Sequence, residues 1–463
     1  MTSSLTRDGR RTAAISLAPV RVLLVATYEL GHQPGNLASP AARLRADGHD
    51  VRVLDTSVDA WDESLVDWAD RVAFSVPMHT ATRLVRELAA SVAKPTCCYG
   101  LYAGMCRDFA DDVIAGEYEE ALVAWAAGEP IRIPVQLGRA APWPGTPRPA
   151  RELLPSLDHY ARLAVGDDMR LVGSVEASRG CAHRCRHCPV PVVYDGRVRV
   201  ADEDAVLADI SQLVAAGAQH ITFGDPDFLN APRHSMRIVR SMHDAFPSLT
   251  FDCTTKVEHV LQHRALLGEL SAAGCLFVVS AFESLNDDIL QRFDKGHTAA
   301  DAARAVDVLR EHGIHVRPSF LPFTPWTTHD DIATLLDFVV KHDLVGSVDP
   351  VQYTIRLLLP EGSLLLGHPD LVPYVGTWDE ARLSYSWTHP DPEIDELQQR
   401  LAALVEASVG RGEPIADTYA RVRAAVGVAT VDVAPDVTDQ PRLTESWFCC
   451  AEPTGTQLEA VAR

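Results

Sequence analysis

Apolar positions along this chain fall into two alternating series separated by a proline-rich stretch. In the first, Val20 to Ala26 is a nearly continuous apolar run bounded by polar residues, which predicts a buried strand. After a loop over Tyr28 to Gly35, helical spacing runs from Leu37 to Asp47 and stops at Gly48. Val51 to Leu54, Val72 to Val76 and Thr96 to Tyr99 predict further strands. Helical patterns lie over Thr80 to Ala93 and up to Ala127. Strands alternating with helices predict βαβ units and a parallel sheet.

The second series starts at Leu171. Strands are predicted at 171–176, 220–223, 250–254, 276–281, 315–321 and 351–359. Helices are predicted at about 201–216, 232–246, 257–273, 299–312 and 329–342. Six such repeats predict a partial (β/α)6 barrel, whose ligands would sit at the carboxyl ends of the strands. Two further stretches, 391–410 and 415–426, carry helical spacing. The expected class is α/β: a Rossmann-like parallel sheet, a partial barrel, and a small helical module with a flexible tail. The expected organisation is a leader over 1–19, the first unit over 20–128, a Pro-rich linker over 129–168, the barrel over 169–368, the helical module over 369–428 and a tail over 429–463. Pro130, Pro134, Pro142, Pro144, Pro147 and Pro149 make the linker extended rather than helical.

Composition narrows the function classes. The 463 residues include 63 acids against 42 bases, a net charge of −21. Non-specific nucleic-acid or anionic-membrane binding needs a basic surface, so neither is expected. The polar residues 1–19 are too weakly apolar for a signal peptide, and no run of about 18 apolar residues occurs. Ten cysteines together with an oxygen-sensitive cluster motif point to the reducing cytoplasm.

That motif is Cys181-Ala-His-Arg-Cys185-Arg-His-Cys188, directly after the first barrel strand and a Ser178-Arg179-Gly180 turn. Fe–S clusters are normally held by four cysteines. Here the next cysteine is Cys253, so three thiolates on a four-iron cluster would leave one iron open for a substrate or cofactor. A zinc knuckle is the competing reading, but zinc prefers paired ligand sets that close four positions.

Cys181, Cys185 and Cys188 resemble the signature of radical S-adenosylmethionine (radical SAM) enzymes, with His187 where an aromatic residue usually precedes the third cysteine. The resemblance implies a [4Fe–4S] cluster, SAM bound at the open iron, reductive cleavage to a 5′-deoxyadenosyl radical, and a reductant such as ferredoxin or flavodoxin. It also implies that the strand-end segment Gly224-Asp225-Pro226-Asp227 contacts the SAM amino group, with Asp225 favoured as acceptor. Ser280-Ala-Phe-Glu283-Ser284 resembles the strand that approaches the SAM ribose and carboxylate, and Asp294-Lys-Gly-His-Thr298 the segment after it. Arg317 is a candidate partner of the SAM carboxylate, or a salt-bridged barrel arginine. Tyr353 and Arg356 would face the substrate.

Residues 20–128 resemble the cobalamin-binding domain that precedes many radical SAM cores. His32-Gln-Pro-Gly35 supplies part of a D-x-H-x-x-G motif, but Leu30 stands where the aspartate would orient a cobalt-ligating histidine. An exposed loop histidine is the plainer reading of His32, and fold alone does not decide whether cobalamin binds.

The chain ends Trp447-Phe-Cys449-Cys450-Ala-Glu-Pro453, which resembles a radical SAM subgroup named for its Cys-Cys(or selenocysteine)-Ala-Glu-Pro tail. Selenium in place of sulfur makes sense only at a redox, nucleophilic or soft-ligand position, so Cys449 and Cys450 are candidate catalytic groups. They would shuttle electrons, hold the substrate or bind a soft metalloid such as trivalent arsenic. Cys97-Cys98 lies on a predicted strand and reads as core. The reading reached is a radical SAM enzyme acting on an unknown small molecule. The alternatives are a cobalamin-dependent methyltransferase and a non-catalytic metal or metalloid sensor on the same scaffold.

Overall fold

The computed structural model describes residues 19–131, 140–143, 147–429 and 440–445. Cys449 and Cys450, nearly all of the 1–19 leader, and parts of the proline-rich linker and tail lie outside them.

Five strands build the first sheet: β1 (Arg21–Ala26), β2 (Asp50–Asp55), β3 (Arg71–Ser75), β4 (Thr96–Tyr99) and β5 (Asp112–Ile114). All pair in parallel, in the order β2-β1-β3-β4-β5. From Val22 to Ala26 β1 is apolar because it is covered on both faces. Its Val22, Leu24 and Ala26 join Leu37, Ala41 and Leu44 of the helix Gly35–Ala46. Leu23 and Val25 point the other way, onto Ala81, Leu84 and Val85 of the helix His79–Ala89. Strand order reverses between β1 and β3, which opens a crevice beyond their carboxyl ends where such sheets bind ligands. Cys97 and Cys98 are fully buried on β4, as core.

The connector supplies β6 (Ala140–Pro142), then β7 (Arg162–Val165), which forms an antiparallel hairpin with β8 (Asp168–Val175). β9 (Ser178–Gly180) and β10 (Val198–Val200) complete a small sheet in which β10 lies between β6 and β9. The large sheet continues with β11 (His220–Phe223), β12 (Thr250–Thr254), β13 (Cys275–Glu283) and β14 (His315–Phe320). β8 and β11 to β14 run parallel and curl into a half-barrel, with Ile221, Phe251, Val278 and Phe282 in its core. Capping boxes at Thr298 with Asp301 and at Thr328 with Asp331 start the helices Ala299–Glu311 and His329–Lys341.

Several sequence expectations are corrected. The strand expected over 351–359 is replaced by one 3-10 turn at Pro350–Tyr353 and a single parallel bridge between Phe323 and Arg356. Pro350 has no amide to donate, and Gln352 Oε1 takes the Phe320 amide at 2.8 Å, so a side chain stands where a ladder bond would run. The helix expected over 257–273 breaks at His263 into Val257–Gln262 and Arg264–Ala272. The expected helical module starts instead with a hairpin, β15 (Val375–Asp379) and β16 (Ser384–Trp387). Its helices Pro392–Gly410 and Ile415–Val426 place Leu397, Leu401, Tyr419 and Val422 in the half-barrel's own core. From the tail, β17 (Arg442–Leu443) adds antiparallel to β7. No helix among the described residues is long and apolar enough to cross a membrane.

Candidate functional site

The carboxyl ends of both sheets face one cavity of about 530 Å³. On one wall lie Glu29, Leu30 and His32 after β1, Met78 after β3, and Tyr102 after β4. The other wall is built from the ends of β8 and β11 to β14 and from the loop that follows β9. That loop brings Cys181, Cys185 and Cys188 to the cavity, and no other described cysteine lines it.

Local chemistry explains the turn of this loop. Gly180 has φ +77°, and a Cβ there would sit 2.3 Å from the Arg197 carbonyl oxygen, so only glycine fits. Asn230 Oδ1 accepts from the Ala182 amide at 3.1 Å, and the Phe293 carbonyl accepts from the Arg186 amide at 2.8 Å. Burial pushes the Cys181 thiol up to about 11, with Asp227 adding to it. Burial, then Cys185, pushes Cys188 up as well. Such thiols stay protonated unless a bound cation displaces the proton. Three convergent thiols with no fourth cysteine beside them among the described residues fit a cluster that keeps one open corner.

Beside the cysteines, Glu283 Oε1 is 3.1 Å from both His187 Nε2 and Lys295 Nζ. Burial alone would raise the Glu283 carboxyl, but Lys295 and then His187 hold it well below the usual carboxylate range. Burial likewise works against the Lys295 charge, and Glu283 followed by Cys185 outweighs it. A fixed ammonium beside thiolates offsets the negative charge that a three-thiolate cluster carries.

The other expected site residues are spread differently. Asp225 lines the cavity, but its carboxylate is engaged by the Ala177 amide at 3.0 Å and by the Ser178 hydroxyl. Burial raises it to about 7. Ser284 is not among the cavity-lining residues; its Oγ accepts from the Asn286 amide at 3.1 Å. Arg317 lines the cavity as a salt-bridged barrel arginine, 2.9 Å from Asp349 and donating to the Pro441 carbonyl. Tyr353 and Arg356 do not line the cavity: the Tyr353 ring packs at a tilt against Tyr419, and Arg356 pairs with Asp395 over the Trp387 ring. His32 stands in the cavity wall rather than in open solvent, and burial lowers its pKa despite nearby Asp252.

Residue-by-residue reading of the sequence missed Glu29. Its Oε1 is buried with no hydrogen-bond partner, and burial, then Asp55 and Glu176, raise the carboxyl from 4.5 to about 8. The folded protein therefore holds a proton that the unfolded chain releases near pH 4.5. That stabilisation is full below about pH 4.5 and is lost as pH rises through about 8. Glu29→Gln is expected to match the parent in urea denaturation near pH 4, and to exceed it increasingly up to about pH 9. Equal midpoints at the upper pH would refute this.

Residues 175–339 match the model of the radical SAM superfamily. The chain contains a radical SAM domain. Such domains bind a [4Fe–4S] cluster and SAM, the groups the cysteine wall fits. The chain is 23% identical over 320 residues to the hopanoid C-3 methylase of Methylococcus capsulatus, covering 64% of this chain and 62% of that protein. It spans between 42% and 62% of the length of the curated relatives it matches. Its fold superposes on the cobalamin-dependent SAM radical enzyme OxsB, solved with aqua-cobalamin and SAM, with a TM-score of 0.66 and 14% identity; 85% of this chain and 67% of that one are covered. It also superposes on the radical SAM methyltransferase TsrM from Kitasatospora setae, solved with tryptophan and a SAM analogue, with a TM-score of 0.61 and 19% identity, covering 83% and 88%.

Proposed function

We propose that this protein is a radical SAM enzyme that cleaves SAM reductively to start radical chemistry on a small molecule. The observation that carries the reading is the convergence of Cys181, Cys185 and Cys188, without a fourth cysteine among the described residues, on a cavity that also holds the Glu283–Lys295 pair. When bound, the cluster and SAM supply a 5′-deoxyadenosyl radical that removes a substrate hydrogen. The chain's own part is to hold and exclude. The three thiolates ligate, and Lys295 offsets their charge. Asp225 and Glu283 would accept from the SAM ammonium and ribose hydroxyls, and the apolar strand ends keep water from the reacting atoms. A ferredoxin or flavodoxin would deliver the electron. The acidic surface argues against nucleic acid and membranes as partners, and the cytoplasm suits the cluster.

Anaerobic reconstitution followed by SAM and dithionite is expected to give about four irons per chain and 5′-deoxyadenosine. Iron binding without SAM cleavage would replace this reading by a metal or metalloid sensor on the same scaffold. Isotopically labelled SAM would identify the product.

Methyl transfer with cobalamin is a second reading. It is favoured by the extension of the cavity to the β1–β3 crevice and by relatives named as methylases and methyltransferases. Leu30, His32 and Tyr102 would flank the corrin, and the unpartnered Glu29 Oε1 suits a cofactor rich in amide donors. Cobalamin, when bound, supplies a methyl carrier. Absorbance of the purified protein with hydroxocobalamin tests whether it binds.

The tail thiols Cys449 and Cys450 would act as a redox pair or hold the substrate or a metalloid. Alanine at either is expected to leave iron content and one round of SAM cleavage intact. Product formation should fall at least about tenfold, the equivalent of roughly 1.4 kcal/mol in the transition state. Unchanged turnover in the double variant would remove the tail from the cycle.

A further inference from the structure

On the outer side of the cysteine loop, three side chains from separate segments meet. His183 lies between the first two cluster cysteines, Asp227 follows β11, and His259 sits in the helix Val257–Gln262. Their donor atoms lie within 4.8 Å of one another, and none of the three lines the cavity. His183 Nε2 is 3.1 Å from His259 Nε2, and His259 Nδ1 is 2.7 Å from Asp227 Oδ2. We propose that His183, His259 and Asp227 form a mononuclear site for a divalent transition-metal ion of the zinc class, separate from the cluster.

The chemistry of the donors carries this. Asp227 is completely buried; its Oδ1 takes the Leu229 amide, while Oδ2 has no well-directed hydrogen bond. A divalent cation on His259 would supply a counter-charge to the buried carboxylate beside it. Asp227 Oδ2, 2.7 Å from His259 Nδ1, favours a proton on that nitrogen, which would turn the Nε2 lone pair towards His183 in the carboxylate–histidine–metal arrangement that raises ligand basicity. A separation of 3.1 Å between the two Nε2 atoms suits two ligands about 2.0–2.1 Å from one tetrahedral ion. Glu258 Oε2 is 3.7 Å from His183 Nδ1, on the side of that ring away from the ion, and water would complete the coordination. The ion would tie the cysteine loop to the ends of β11 and β12. The competing arrangement is a metal-free chain in which His183 Nε2–H donates to His259 Nε2.

The test uses the full chain with its cluster reconstituted, exposed to Zn²⁺ and then freed of loosely bound metal. One zinc per chain is expected beyond the irons, lost in His183→Gln and His259→Gln with iron content unchanged. Asp227→Asn should weaken zinc binding about 10–100-fold. A second measurement uses Co²⁺ on the full chain with alanine at Cys181, Cys185, Cys188, Cys449 and Cys450. One equivalent should give a spectrum of nitrogen and oxygen ligation without thiolate charge transfer, abolished by His259→Gln. The proposal is overturned if the parent holds no more zinc than its His183→Gln variant. It is equally overturned if Co²⁺ binding survives His259→Gln. Neither arm depends on SAM cleavage, so failure of the radical SAM reading and failure of this site are read separately.

Discussion

Alanine at Cys181, Cys185 and Cys188 is expected to reduce both protein-bound iron and 5′-deoxyadenosine formation to the level of a protein-free control. The three thiols line one cavity, and no other cysteine among the described residues lines it, so none of those is placed to take over a lost ligand. The environment sharpens the effect. Cys181 and Cys188 are held in a buried setting that disfavours thiolates, so the loop gains its anionic form only through the metal. Lys295, Glu283 and His187 then surround a deficit of negative charge. A single alanine at Cys185 should already remove SAM cleavage. Cys97→Ala and Cys98→Ala should leave iron unchanged, because both side chains are core on β4. Iron analysis after anaerobic reconstitution and chromatography of the nucleoside product provide the readout. Nucleotide scission that persists in the triple variant would overturn the proposed function.

Arg179→Met is expected to destabilise the protein by about 3–5 kcal/mol, the cost of leaving a buried charge without its partner. Arg179 lies on β9, two residues before Cys181. Its Nη1 is 3.0 Å from Glu119 Oε1, and its Nε is 2.8 Å from Glu176. The guanidinium lies against two aromatic faces, 4.3 Å from the Tyr118 ring centroid and 3.7 Å from that of Trp143. Glu119 belongs to the helix Glu119–Ala126 of the first sheet, so one side chain joins that sheet to the strand that launches the cysteine loop. With methionine in its place, Glu119 keeps, among the described residues, the Ser39 hydroxyl at 2.7 Å as its side-chain donor. Iron retention should fall along with the urea midpoint. Adding Glu119→Gln should recover part of the stability, since it removes the orphaned charge. A loss below about 1 kcal/mol, the range of exposed pairs, would show that the clamp contributes little.

Much of this architecture was legible along the chain. A strand covered by helices on both faces buries side chains on both sides, so Val22 to Ala26 of β1 stands out as a short apolar run, while β4, β11 and β12 mix apolar residues with buried polar ones such as Thr96, His220 and Asp252. The helices between them must bury one stripe, so their period of 3.6 shows. The spacing of Cys181, Cys185 and Cys188 is local, and local geometry alone lets one loop present three thiols. The limit is visible at 351–359, where an apolar run reads as a strand although proline and a glutamine side chain interrupt the ladder.

What the tertiary structure decided is the choice of partners for long charged side chains. Arg317 could pair with a cofactor or with the protein; packing against Asp349 settles it, from 32 residues away. Glu283 meets Lys295 and His187 because a strand end, the segment after it and the cysteine loop fold onto one another. His183, Asp227 and His259 come together in the same way, and Glu29 Oε1 is buried without a hydrogen-bond partner at the cavity that both sheets face. Periodicity encodes which face of an element is buried. It carries no information on which distant element arrives there, and the electrostatics of a buried site depend on that arrival.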